Sequence, residues 1–155
     1  MRNAGDIIEK KGVHVISVPV DTTIRAALET MVKNKIGAML VIGENDKVSG
    51  IWTERDLMRN TITDGFDPDT AKIGDLMSTN LQFAPHTATV YELMDKFLGL
   101  RLRHLLIQKD GEYIGLLSIG DAIRACLREK TDELHDLNAI VSWEYYEDWK
   151  FIPKT

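Results

Sequence analysis

The chain has 155 residues, 44% hydrophobic and 28% charged, which is enough apolar content for a real core under a charged surface. Its net charge of −5 excludes a general nucleic-acid or anionic-membrane binder, since both need an extended basic face, but leaves room for a local basic pocket. The single cysteine, Cys126, builds no disulfide framework and fits a reducing compartment as a small core residue.

The opening stretch, MRNAGDIIEKKG, lacks the apolar run of a secretory leader. The longest apolar run, IGAMLVIG at 36–43, falls far short of the ~20 residues that cross a bilayer. A cytoplasmic protein is expected. After GDII at 5–8, a short strand is predicted over Val15–Val18, next to Pro19. Ile24, Ala27, Leu28, Met31 and Val32 follow at helical spacing, with Thr22 as the expected N-cap. A strand at Met39–Ile42, the turn GENDK and a strand at Val48–Trp52 come next. Thr53 and Asp56 then open a second helix, and TITDGFDPDTAK at 61–72 reads as a linker.

The same order then recurs. GDLM at 74–77 answers GDII, and Leu81–Phe83 is the strand beside Pro85. Thr87 is the expected cap before Val90, Leu93, Met94, Phe97 and Leu98, each 66 residues after its counterpart. Leu105–Ile107, the turn KDGE and Tyr113–Leu117 form the second hairpin, where Asp110-Gly111 favours a tight turn. Ser118 and Asp121 open the last helix, and the offset has dropped to 65 because the first turn is one residue longer. The fold class is α+β, with two β-α-β-β-α repeats at 1–66 and 67–130. Neither is large enough to be stable alone, so the two should pack as one pseudo-twofold pair. Residues 131–155 form a C-terminal extension. Leu134, Leu137, Ile140 and Val141 give it a helical stripe, and Trp143, Tyr145, Tyr146, Trp149 and Phe151 an aromatic cluster. It is expected to be ordered, either folded on its own module or facing a partner.

The doubled hydroxyl-x-x-Asp has two compatible readings. As a capping box, the hydroxyl accepts from the third helical amide and the acid reaches back to the cap amide. As a binding element, the carboxylate accepts from neighbouring ribose hydroxyls while the helix N-terminus favours phosphate. Catalytic signatures are missing: no phosphate loop, H-E-x-x-H, C-x-x-C or G-x-S-x-G occurs. Histidines 14, 86, 104 and 135 have no metal-ligand spacing. No enzyme activity, catalytic cofactor or metal is expected.

The stretches VPVDTTIRAALETMVKNKIGAMLVI…VSGIWTERD and APHTATVYELMDKFLGLRLRHLLIQKDGEYIGLLSIGD resemble a tandem pair of cystathionine β-synthase (CBS) domains, a Bateman module. The resemblance covers about residues 5–130. It implies two clefts between the repeats that take an adenosine ligand: AMP, ADP, ATP, S-adenosylmethionine or a nicotinamide dinucleotide. It makes Thr53 with Asp56, and Ser118 with Asp121, the ribose-binding pairs. By position, the Thr53/Asp56 cleft would be lined by Gln82, Phe83, Leu102, Arg103 and His104. Arg103 is the candidate phosphate ligand, with His104 and Arg55 assisting; the alternative for these cations is a solvated edge or helix face. The other cleft would be lined by Val15, Ile16, Ile36, Gly37 and Ala38, an adenine pocket that supplies no cation. The resemblance implies a regulatory sensor that signals ligand binding to an unidentified regulated protein, and that itself forms a homodimer. The alternative is a nucleotide-independent interaction or dimerisation module, in which the hydroxyl-x-x-Asp patterns are only caps.

Overall fold

The computed structural model describes residues 1–12 and 16–136. Helix α1 (Ala4–Lys11) starts at a capping box between Asn3 and Asp6 and stops at Gly12, whose φ of 59° suits a residue without Cβ. The first unit then runs β1 (Ser17–Pro19), α2 (Ile24–Asn34), β2 (Ala38–Ile42), β3 (Val48–Thr53) and α3 (Glu54–Thr61). A short helix α4 (Ile73–Leu76) leads into β4 (Phe83–Pro85), α5 (Val90–Gly99), β5 (His104–Lys109), β6 (Glu112–Ser118) and α6 (Ile119–Asp136). Each unit is thus the expected β-α-β-β-α. Its sheet has order β1-β2-β3 or β4-β5-β6, with a parallel first pair and an antiparallel hairpin. Asp110 and Gly111, at φ 51° and 80°, make the tight second hairpin turn.

Two expectations are corrected. The caps are Thr23 and Thr89, not Thr22 and Thr87: Thr23 accepts from the Ala26 amide, and Thr89 exchanges a full capping box with Glu92. Strands β1 and β4 begin two residues later than expected and end on Pro19 and Pro85. A proline is tolerated there because both are edge strands, where a missing amide donor costs no ladder bond. Helix α6 continues without a break past residue 130 to Asp136, so the C-terminal extension begins inside a helix. Its aromatic cluster lies outside the described residues.

The two cores exchange their lead-ins. One contains Ile24, Ala27, Met31, Met39, Val41 and Trp52 together with Ile73 from α4. The other contains Leu93, Phe97, Leu105, Ile107 and Leu117 together with Ala4 from α1. Matching backbone bonds hold both lead-ins: Ala4 and Gly5 donate to Ala88 and His86, while Ile73 and Gly74 donate to Thr22 and Val20. Each helix therefore crosses to the other unit. Side chains alternate across a strand, so Leu40 faces away from the core that holds Met39 and Val41, and Leu106 away from that of Leu105 and Ile107. Both are nonetheless buried, at 1% and 2% exposure. Neither belongs to a core cluster, so the contact between the two units is what shields them.

Candidate functional site

The turn from β3 into α3 sets the first site. Thr53 keeps an extended backbone, and its hydroxyl accepts from the Asp56 amide at 3.4 Å. Asp56 Oδ2 accepts from the Thr53 amide at 2.9 Å and from its hydroxyl at 3.1 Å. The turn from β6 into α6 repeats this: Asp121 Oδ2 accepts from the Ser118 amide at 2.8 Å and hydroxyl at 2.9 Å. Both patterns are capping boxes in this structure. Such a box leaves Asp56 Oδ1 outward, where its only neighbour of opposite charge among the described residues is Arg59 at 3.6 Å.

Thr53 and Asp56 open into a cleft of about 380 Å³, within the size range of small-molecule sites. From the opposite unit the cleft receives Gln82, Leu102, Arg103 and His104, and Arg55 lines it from α3. Phe83 is a correction to the expected lining. It follows Gln82 on an extended segment, so it points the other way and lines a separate shallow pocket with Pro85 and His86. Arg59 and Arg101 also line the first cleft and were missed. Arg59 sits one helical turn after Asp56, and Arg101 two residues before Arg103, so spacing held the signal. Four arginines thus line one cleft of a chain with net charge −5.

The second cleft, about 370 Å³, gathers Ile16, Ile36, Gly37 and Ala38 with Ser118. Val15 lies outside the described residues. The expected absence of a cation is corrected, because Lys11 at the end of α1 and Lys35 after α2 both line it. Lys11 was hidden in the sequence because the exchange of lead-ins brings it there over 110 positions. Asp121 lines an adjoining groove instead of this cleft. Burial alone would raise its carboxyl pKa, but hydrogen bonds from Lys11 and from Ser118 outweigh that and hold it at about 2.

His104 lines both clefts. Burial, and then the charges of Arg103 and Lys11, push its pKa below the ordinary value, so it is neutral at pH 7. Gly37 stands where Arg103 stands in the other copy. Their carbonyls accept equivalent bonds, from the Glu54 and Ile119 amides. A Cβ at Gly37 would come within 2.8 Å of the Glu54 carboxylate, so the arginine of one unit cannot be matched in the other without moving Glu54.

The model of the CBS domain matches residues 4–62 and 73–128. The chain belongs to the CBS domain family. It is 35% identical over 130 residues to the mitochondrial CBS domain-containing protein CBSX3 of Arabidopsis thaliana, covering 81% of this chain and 63% of that relative's length. A CBS-domain containing protein from Agrobacterium tumefaciens has a crystal structure that superposes with TM-score 0.74 at 32% identity, over 80% of this chain and 92% of that one. The fold is shared with CBSX2, solved in complex with AMP, at TM-score 0.65 and 24% identity over 84% and 99% of the two chains. Among the described residues no helix is long and apolar enough to cross a membrane, and no cluster of three or more His, Cys, Asp or Glu side chains is arranged to hold a metal ion.

Proposed function

We propose that this CBS domain protein is a regulatory module that binds an adenosine nucleotide in the Thr53/Asp56 cleft and carries out no catalysis of its own. One observation carries the reading: a hydroxyl-x-x-Asp helix start from one unit faces Arg101, Arg103 and His104 from the other across a single cleft. The Asp56 carboxylate accepts from the ribose hydroxyls, and Thr53 donates or accepts beside it. The guanidinium forks take the phosphates, and neutral His104 adds a hydrogen bond. Gln82 and Leu102 form the adenine side. Family likeness supports the ligand class, since the fold neighbour CBSX2 was solved with AMP. Because the cleft draws residues from both units, a bound ligand changes how the units pack, and a regulated partner reads that change.

A thermal-shift panel of adenosine, AMP and ATP tests this. A ligand that binds only the native state stabilises it by about 2.7 kcal/mol at a hundredfold excess over Kd. AMP and ATP should exceed adenosine, and Arg103→Ala should remove that excess. A flat panel would overturn the reading.

A second reading, an interaction or dimerisation module, also has an observation behind it. Exposed apolar residues recur at repeat-related places: Val32 with Leu98, Met58 with Ile123, Ile62 with Leu127. They lie on, or just past the end of, α2, α5, α3 and α6, and a second copy of the chain is their proposed cover.

A further inference from the structure

The first cleft is continuous from the opposite unit to Asp56 and Arg59. Its repeat-related counterpart is cut in two. Ser118 belongs to the apolar cleft with Ile16, Ile36 and Ala38, whereas Asp121 and Arg124 line a separate groove of about 280 Å³ with Lys10 and Arg128. Lys11 lines both. Its ammonium donates to Asp121 Oδ2 at 2.7 Å and to the Leu116 carbonyl at 3.2 Å, which ties the end of α1 to β6 and α6. Arg124 takes the remaining oxygen, Oδ1, at 2.7 Å. Asp121 is therefore engaged at both oxygens and only 9% exposed, against 20% for Asp56.

The lead-in bonds relate Ala4 to Ile73 and Gly5 to Gly74, and counted along the sequence from there Lys11, the last residue of α1, falls opposite Asn80, which lies beyond the shorter α4. Asn80 lines the first cleft, is uncharged, and accepts from Gln82 at 3.2 Å instead of engaging Asp56. The divided cleft thus has a charged lead-in residue on its aspartate where the open one has a neutral residue that leaves Asp56 alone.

We infer that Lys11 is the residue that shuts the second cleft, its ammonium taking on Asp121 the place of a ribose diol, so that this chain has one open nucleotide site and one closed by its own α1. The inference rests on the nucleotide reading above. A ligand entering the second cleft must lift Lys11 from Asp121. Once lifted, Lys11 joins Lys10, Arg124 and Arg128 around the groove, which becomes the phosphate end of a rejoined cleft. Occupancy there would thus be felt directly by α1, whose other end is bound at Ala88 and His86.

The test is calorimetric titration of the full chain with AMP. Lys11→Met keeps the side-chain stem and removes the charge, Lys11→Arg keeps the charge, and circular dichroism melts verify that both fold. Wild type and Lys11→Arg should bind one AMP per chain, weakened about tenfold or more in Asp56→Asn. Lys11→Met should bind a second, at least about tenfold tighter than any second event in wild type and abolished by Asp121→Asn. One AMP per chain in Lys11→Met, or two in wild type with Asp121 dependence, would overturn the proposal and leave the first cleft standing. An Asp121-dependent site in Lys11→Met without Asp56-dependent binding would uphold the role of Lys11 and overturn the first-cleft assignment. No binding by any variant would overturn both.

Discussion

Asp121 accepts four hydrogen bonds, from Ser118 twice, Lys11 and Arg124, whereas Asp56 accepts two from Thr53 and faces a distant Arg59. The same motif is a satisfied structural group in one copy and an available acceptor in the other. This has a pH consequence at Asp121. Its folded pKa of about 2 lies below its ordinary 3.8, so its ionised form stabilises the fold above about pH 3.8, and that contribution is lost as pH falls toward 2. Urea midpoints should therefore drop for wild type across that window, and Asp121→Asn should lower the neutral-pH midpoint while removing part of the acid-dependent drop. An unchanged acid limb in Asp121→Asn would deny the carboxylate this role. His104 gives a second titration: its imidazole resonances should move below pH 6.5, the ordinary value, and AMP should raise that midpoint by placing a phosphate nearby. A midpoint indifferent to AMP would remove His104 from the phosphate site.

At the scale of the element, Gly74 separates two effects that usually travel together. Alanine is the better helix former by ~1 kcal/mol, and Gly74 lies in α4. A Cβ there, however, would meet the Val20 carbonyl at 2.7 Å. Backbone cannot yield as a side-chain tip does, so Gly74→Ala should cost about 1–3 kcal/mol in chemical unfolding. Gly99→Ala, at the end of α5 with open space around it, should be neutral or slightly stabilising. Equal effects of the two substitutions would mean that the close crossing of α4 over the first unit is not what demands glycine. This crossing also marks where sequence reading stopped. The helices and hairpins were legible, because an apolar period repeated at a constant offset identifies them twice over. Position 89 is legible too, because Glu92 three residues on completes a capping box that Thr87 lacks. The exchange of lead-ins left no local trace. GDII and GDLM look alike, and only the fold shows that each packs on the other unit. The resemblance, matched by position, assigned Arg103 and His104 to the Thr53/Asp56 cleft, which they line, whereas nothing in it pointed to Lys11.

For the whole molecule, the units depend on each other through Leu40 and Leu106, which belong to neither core yet are sealed. Leu106→Ala should cost about 2–5 kcal/mol, the range for a buried leucine, and should loosen the clefts as well as the fold. The outer helices carry the paired exposed residues Val32 and Leu98. If a second copy covers them, sedimentation should find a dimer in wild type and a monomer in Val32→Glu/Leu98→Glu, with nucleotide binding retained because neither residue lines a cleft. A monomeric wild type would remove the dimer from the account. The central claim is the nucleotide at Asp56, and its most direct measurement is calorimetry of AMP with wild type and Asp56→Asn. The substitution keeps the shape and part of the cap but loses the charge that the ribose hydroxyls donate to. Affinity should fall by about 1.5–3 kcal/mol, roughly tenfold or more, with the melting temperature changing little. Equal affinity in the two proteins, with a lower melting temperature in Asp56→Asn, would contradict the account and leave Asp56 a helix cap alone.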